Sequence, residues 1–159
     1  MYNHAPEKYT CPFCIFVQGI ENEHTQLKQT DVIIQTANVT AFMATRKWEN
    51  NVGHVLIIPN KHIENIYDLP LSISAEIHKL AKDIALAMKS EYKCDGIMLR
   101  QHNEPAGDQH IWHYHLHIIP PYENDNIQNT QKVPCPANER AKYVQILRKW
   151  LKNKKLNYE

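Results

Sequence analysis

Charge of one sign is missing from this chain. Its 18 Lys and Arg nearly cancel its 17 Asp and Glu, leaving a formal net charge of +1. No long-range field draws in DNA or RNA, and no run of like charge forms a binding tail, which argues against a nucleic-acid partner. Long apolar runs are missing too. The N-terminal MYNHAPEKYTC has no signal-peptide core, and no segment approaches the roughly 18 apolar residues of a membrane span. A cytoplasmic protein with no membrane partner is expected. Cysteine is scarce, four residues in all; in a reducing compartment these are metal ligands or buried thiols rather than disulfides. Internal repeats are absent. What is present, 43% hydrophobic and 22% charged residues in a length of 159, suits one domain over residues 1–159 with a core of ordinary size.

Periodicity gives the coarse architecture. In DVIIQTANVTAFMAT, Val32 to Gln35 and Val39 to Met43 are β-branched and apolar, with Ala37 and Asn38 at the reversal, so two short strands are expected. RKWENNVG interrupts the pattern, and HVLIIP resumes it as a buried central strand closed by Pro59. Between Leu71 and Tyr92, the residues Ile77, Leu80, Ala81, Ile84, Ala87 and Met88 follow helical spacing, with Ser72 or Ser74 as N-cap; His78, Lys79 and Lys82 fall on the solvent side. GIMLRQ reads as a strand, HNEPAGDQ as a loop, and HIWHYHLHII as a further strand stopped by Pro120 and Pro121. YENDNIQNTQKVPCP is polar and reads as a long irregular segment. An amphipathic helix from about Asn138 to Lys152 carries Val144, Leu147 and Leu151 on one stripe. The class is α+β, an antiparallel sheet with two main helices on one side, because the strand connections are too short for crossover helices.

Two clusters carry chemistry. Cys11 and Cys14 form CPFC near the N-terminus, before any sheet, which disfavours a thioredoxin-like redox reading. As a zinc site the pair needs two more ligands from the ten histidines, and His62 and His113 are candidates, although spacing does not select them. Cys94 and Cys135 stand alone and read as small packed thiols. The second cluster is the row His113, His115 and His117. Alternate positions of a strand share a face, at a rise of about 3.3 Å per residue. Such a row could hold a catalytic zinc with an open position for water. That reading leaves CPFC without a purpose and finds no carboxylate beside the row to act as base. Imidazole as nucleophile is the other reading. With an ordinary pKa of about 6.5 it is mostly neutral, and its free lone pair can attack phosphorus without prior deprotonation.

GHVLIIPNKH at 53–62, HNEPAGDQ at 102–109 and HIWHYHLHIIP at 110–120 together resemble the histidine triad (HIT) family, whose signature is His-x-His-x-His followed by apolar residues. The resemblance spans 11–121 and leaves 122–159 as a C-terminal extension with a helix. It implies an antiparallel sheet with two helices, a homodimer, no organic cofactor, and hydrolysis or transfer at the α-phosphate of a nucleotide substrate. Carried over by position, His115 is the nucleophile, His117 bonds the phosphate oxygens and His54 supports the nucleophile. Asn103 and Gln109 match the amides that contact phosphate, where neutral donors suit anionic oxygen. A zinc-containing, bacterial-type branch of the family holds a structural zinc through Cys11, Cys14, His62 and His113. The substrates implied are nucleoside phosphoramidates or dinucleoside polyphosphates. Phe13, Ile15 and Phe16 are candidates for a base pocket. Ala44 stands where many members have a ribose-binding Asp, and His110 and Pro121 also depart from the pattern; His110 reads as a surface residue. Two alternatives stay open: a nucleotide-binding regulatory or scaffold protein with negligible turnover, and a zinc metallohydrolase using the histidine row.

Overall fold

The computed structural model describes residues 2–21 and 25–154. Its main sheet has five strands, β1 (Val32–Gln35), β2 (Val39–Met43), β4 (Val55–Pro59), β5 (Met98–Gln101) and β6 (Leu116–Ile119), in the antiparallel order β1-β2-β4-β6-β5. The apolar run of β4 lies at the centre with all five residues buried, paired from Val39↔Pro59 to Met43↔Val55 on one side and to β6 on the other. A continuous apolar run does this because a strand covered on both faces has no solvent side to alternate with.

The two faces are covered differently. Helix α2 (Leu71–Glu91) buries the expected stripe, Ile77, Leu80, Ala81, Ile84, Ala87 and Met88, and α3 (Ala137–Asn153) adds Val144, Leu147 and Leu151 to the same core. Each large aliphatic side chain so buried contributes about 1.5–3 kcal/mol. The opposite face carries a third, short helix, α1 (Pro12–Val17), whose Phe13 and Phe16 pack on Phe42, Leu56 and Ile58. Helices on one side only was therefore too simple: the two long ones share a face, while six residues opened by Pro12 suffice to cap the other. The expected serine cap of α2 is also not formed. Pro70 occupies the N-cap position with no side-chain bond, its fixed φ of −59° starting the turn in place of a hydroxyl.

Two segments read as irregular pair with each other. Arg46–Trp48 (β3) and Lys132–Pro134 (β7) form a separate antiparallel ribbon in the register Arg46↔Pro134 and Trp48↔Lys132. The tail that holds β7 is fastened by a buried ion pair: Arg140 donates to both oxygens of Asp31 at 2.8 and 2.9 Å, and to the carbonyls of Cys135 and Gln26. A guanidinium with that many satisfied donors pins α3 to the turn ahead of β1. Cys94 and Cys135 are both buried free thiols, as expected. Among the described residues, no helix is long and apolar enough to cross a membrane.

Candidate active site and metal site

The histidine row begins before its strand. Regular pairing of β6 starts at Leu116, so of the three only His117 lies on a ladder residue, while His113 and His115 stand in the segment leading into it. Alternation nevertheless persists. Tyr114 packs into the helix-side core, whereas His113 and His115 both face Phe13 of α1, with ring centroids 5.8 and 5.6 Å away.

Backbone carbonyls then give these rings different chemistry. A carbonyl oxygen can only accept, so the ring nitrogen facing it carries the proton. His113 Nε2 donates to Pro59 O at 2.9 Å, which leaves its Nδ1 lone pair facing the cysteines. His115 is reversed: its Nδ1 donates to His113 O at 2.7 Å, leaving the lone pair on Nε2. His54 Nδ1 faces Arg46 O at 3.4 Å, so its Nε2 accepts from His117 Nδ1 at 2.9 Å, and the His117 lone pair is also left on Nε2. His54 itself is placed by Gly53, whose φ of +88° and approach to Tyr92 (2.6 Å from where a Cβ would stand) admit no side chain.

Burial keeps the imidazoles neutral. Desolvation pushes His115 down to about 4, with opposing help from its bond to His113 O, and pushes His54 down to about 3. His117 is lowered by the same cause, reinforced by the neighbouring His54 and His115 rings.

Behind His113 lies a cluster of sulfur and nitrogen. Its Nδ1 is 3.3 Å from Cys11 Sγ and 3.6 Å from Cys14 Sγ, and His62 Nδ1 is 3.3 Å from Cys14 Sγ. The four ligand atoms of Cys11, Cys14, His62 and His113 lie within 4.8 Å of one another. Bonds of about 2.0–2.3 Å to a tetrahedral ion would separate such atoms by about 3.3–3.8 Å, so the donor set fits a zinc-sized ion with little movement. CPFC starts α1, which brings both sulfurs to the same side; the Cys11 sulfur also accepts from the Cys14 N–H as a helix cap.

In front of His115 opens a cavity of about 450 Å³. Phe13, Leu27, Phe42, Leu56 and Ile111 form its apolar part, and Ala44 also lines it. His54, His102, His115 and His117 form a polar wall, completed by Arg46 and Lys132 from the β3–β7 ribbon. A mostly apolar pocket of this size with a few convergent polar groups fits a nucleotide-sized ligand. Of the three candidates for the apolar pocket, Phe13 lines the cavity; Phe16 packs beneath it against Phe42 at 4.9 Å, and Ile15 is half-buried outside the lining. His110 is exposed at the mouth, 2.9 Å from Asp108.

Asn103 and Gln109 do not reach the cavity wall. Gln109 is buried and spends its amide on the backbone, donating to Glu64 O at 2.7 Å and Ile111 O at 3.1 Å and accepting from Glu104 N–H at 2.8 Å. Asn103 accepts from Ile66 N–H at 2.8 Å and donates to Gln101 at 2.6 Å. Both brace a strained loop in which Glu104 and Asp108 have positive φ. That loop presents His102, a residue the motif reading passed over: its Nδ1 donates to Gly107 O at 2.8 Å and its ring stands 5.5 Å from His117. Lys132 was also missed. Its position beside the histidines depends on three-residue strands pairing across more than eighty residues of sequence.

The class of protein is thus defined: an α+β fold whose central strands carry a histidine pair into a cavity, with a Cys₂His₂ cluster behind it. Residues 25–124 match the HIT domain, and the chain belongs to the HIT family. It is 30% identical over 109 residues to "Protein hit" of Bacillus subtilis, covering 69% of this chain and 71% of that one. Among solved structures it is similar to a Zn-bound histidine triad family protein from Mycobacterium smegmatis (TM-score 0.74, 24% identity, 91% of this chain and 95% of the other). It is also similar to the diadenosine triphosphate hydrolase of Plasmodium falciparum (TM-score 0.70, 20% identity, 99% and 92%). At these identities the two structural likenesses are likenesses of fold.

Proposed function

We propose that the protein is a nucleotide hydrolase or transferase that uses His115 as nucleophile. The observation that carries this reading is the bond from His115 Nδ1 to His113 O, which fixes the tautomer and leaves Nε2 as the attacking nitrogen in a cavity sized for a nucleotide. The base and ribose lie in the apolar part and the α-phosphate against the histidines. His115 Nε2 attacks phosphorus, a P–N bond forms, and the bond to the leaving group breaks with its electron pair going to that group. Water then attacks the same phosphorus, the P–N bond breaks, and a nucleoside monophosphate and neutral imidazole are released. His117 donates to a phosphate oxygen from Nε2, which requires it to take up a proton there while its Nδ1 stays bonded to His54, and His102 faces the same part of the cavity. Asn103 and Gln109 act as positioning residues through the loop they brace.

Zinc fits the Cys₂His₂ cluster by donor type and spacing, and would there be structural, tying α1 to the segment that sets His115. A metallohydrolase reading is less well supported, because His113 turns its lone pair to the cysteines rather than to the other histidines. A homodimer is supported by the edge position of β5, which pairs with no further strand among the described residues and where Leu99 is 47% exposed, and light scattering of the purified chain tests it.

The experiment that tests the function is trapping of a labelled nucleotidyl group during turnover of an adenosine phosphoramidate or dinucleoside polyphosphate, with the site located by peptide mapping. Label on His115 supports the enzyme. Tight nucleotide binding with no product and no label would leave the regulatory or scaffold reading in its place.

A further inference from the structure

The cavity's cations come from an unexpected quarter. Lys132 lies in β7, beyond the 25–124 span that matches the family, and enters the wall because β7 pairs with β3. Its ammonium sits 4.8 Å from the centroid of Trp48, whose ring is 5.3 Å from His54, which in turn holds His117. Arg46 is tied to the same place by its guanidinium, which donates to Lys132 O at 2.7 Å. Arg100, directly across from His117 on β5, has its guanidinium carbon 5.9 Å from the Trp48 centroid.

Negative charge does not balance these groups. Asp108 is the one carboxylate among the described lining residues; it stands exposed at the mouth and pairs with His110 at 2.9 Å. Partial burial and the charge of Arg100 press the Lys132 pKa downward, Asp108 pulls against them, and Arg46 adds to the lowering, so that the net shift is still downward. In a chain whose overall charge is +1, Lys132 and Arg100 against one tryptophan, with Arg46 on the same cavity wall as Lys132 and neutral histidines beside them, mark a place built for an anion.

The α-phosphate already has the histidines. We propose that Lys132, supported by Arg46, is the leaving-group subsite and binds the phosphates beyond the α-phosphate, so that the site favours nucleoside polyphosphate substrates over those that lose an amine. The inference rests on the reading that the α-phosphate lies against His115 and deepens it. When the bond to the β-phosphoryl oxygen breaks, the electron pair and a full negative charge move onto a group that is already anionic. Fixed cations at that position stabilise the transition state more than the ground state. An amine leaving group takes up a proton instead and draws nothing from a lysine there. The metal cluster is not involved, since Lys132 lies on the β3–β7 ribbon and belongs to the cavity wall, whereas none of Cys11, Cys14, His62 and His113 lines that cavity.

The test compares the full chain with Lys132→Met, which keeps the stem on Trp48 but removes the charge, and Lys132→Arg. The readout is the ratio of kcat/KM for diadenosine triphosphate to that for adenosine phosphoramidate. In Lys132→Met the ratio falls by about tenfold or more, as expected for loss of a charge contact made in the transition state, and Lys132→Arg restores it. An unchanged ratio, or a fall that Arg does not restore, overturns the proposal. A second arm does not need turnover: equilibrium binding of ADP and AMP to the His115→Asn protein, with and without Lys132→Met. The preference for ADP over AMP disappears when the charge is removed; equal affinity for the two nucleotides before the substitution overturns the inference. If the unaltered chain turns over neither substrate, the hydrolase reading fails, and the binding arm still decides the role of Lys132.

Discussion

His113 and His115 stand two residues apart, pack against the same phenylalanine and are both desolvated, yet they belong to different chemistries. The first gives its Nε2 proton to Pro59 O and turns Nδ1 to the sulfurs; the second gives its Nδ1 proton to His113 O and turns Nε2 to the cavity. Neither side-chain type nor burial separates them. The difference lies in which backbone carbonyl each ring meets, and that is a property of the fold around them. One region has four donor atoms gathered to share an ion, while the other has a lone pair left unshared beside an open cavity.

Breaking the cavity side has the largest expected effect. With His115 as the proposed nucleophile, His115→Asn lowers turnover by about a thousandfold or more, because the proposed attacking atom is gone, while the content of any metal in the Cys₂His₂ cluster stays at that of the unaltered protein. Steady-state kinetics and metal analysis of one preparation check both halves; a loss of zinc with activity would show that the two regions are one site. Breaking the other side comes next. With a zinc in the Cys₂His₂ cluster, as proposed, Cys11→Ser or His113→Asn removes that metal and lowers stability by several kcal/mol, which corresponds to a fall of about 10 °C in Tm for a domain of this size. Calorimetry with and without a chelator measures it, and a Cys11→Ser protein that retains stoichiometric zinc would contradict the ligand set.

Two smaller effects sharpen the comparison. Gln109→Leu leaves three backbone groups without their amide partner, so the loop that presents His102 loosens. The expected result is a fall in kcat of about tenfold to a hundredfold with metal content unchanged. The smallest effect is with pH. His54 is neutral in the fold down to about pH 3, whereas an unfolded histidine protonates near 6.5. Between these values the unfolded chain binds the extra proton, so the stabilising contribution is complete above about pH 6.5 and is lost as pH falls, by roughly 1.4 kcal/mol per unit. Denaturant titrations at pH 7 and 5 should therefore show a shallower pH slope in His54→Gln than in the unaltered chain. Equal slopes would show that His54 is not held neutral.

Much of this was legible in the residues. The buried run of β4, the stripe of α2, the stripe of α3 and the alternation through 113–117 follow from periodicity, because each is local. CPFC alone left its partners open; the resemblance to the zinc-containing branch of the HIT family, not spacing, pointed to His62 and His113, and the fold gathers all four. What could not be read was non-local or fine-grained. β3 and β7 have three residues each and no pattern of their own, so their pairing, and with it Lys132 on the cavity wall, depends on the Arg140–Asp31 tie and the packing of α3. Motif position put the Asn103 and Gln109 amides at the phosphate, whereas in the structure, in a loop with positive φ at Glu104 and Asp108, Gln109 is spent on backbone groups and Asn103 on the Ile66 N–H and the Gln101 side chain. His102, the neighbour of Asn103, takes the place on the wall.

Backbone carbonyls sort the histidines by tautomer. Long-range ¹⁵N correlation spectroscopy of the side-chain imidazoles, on the zinc-loaded protein at neutral pH, reports it directly. The expected result is the proton on Nε2 in His113, with Nδ1 showing the shift of a metal-bound nitrogen, and on Nδ1 in His115, with Nε2 showing the shift of a free lone pair. A His115 protonated on Nε2, or the same tautomer in both rings, would contradict it.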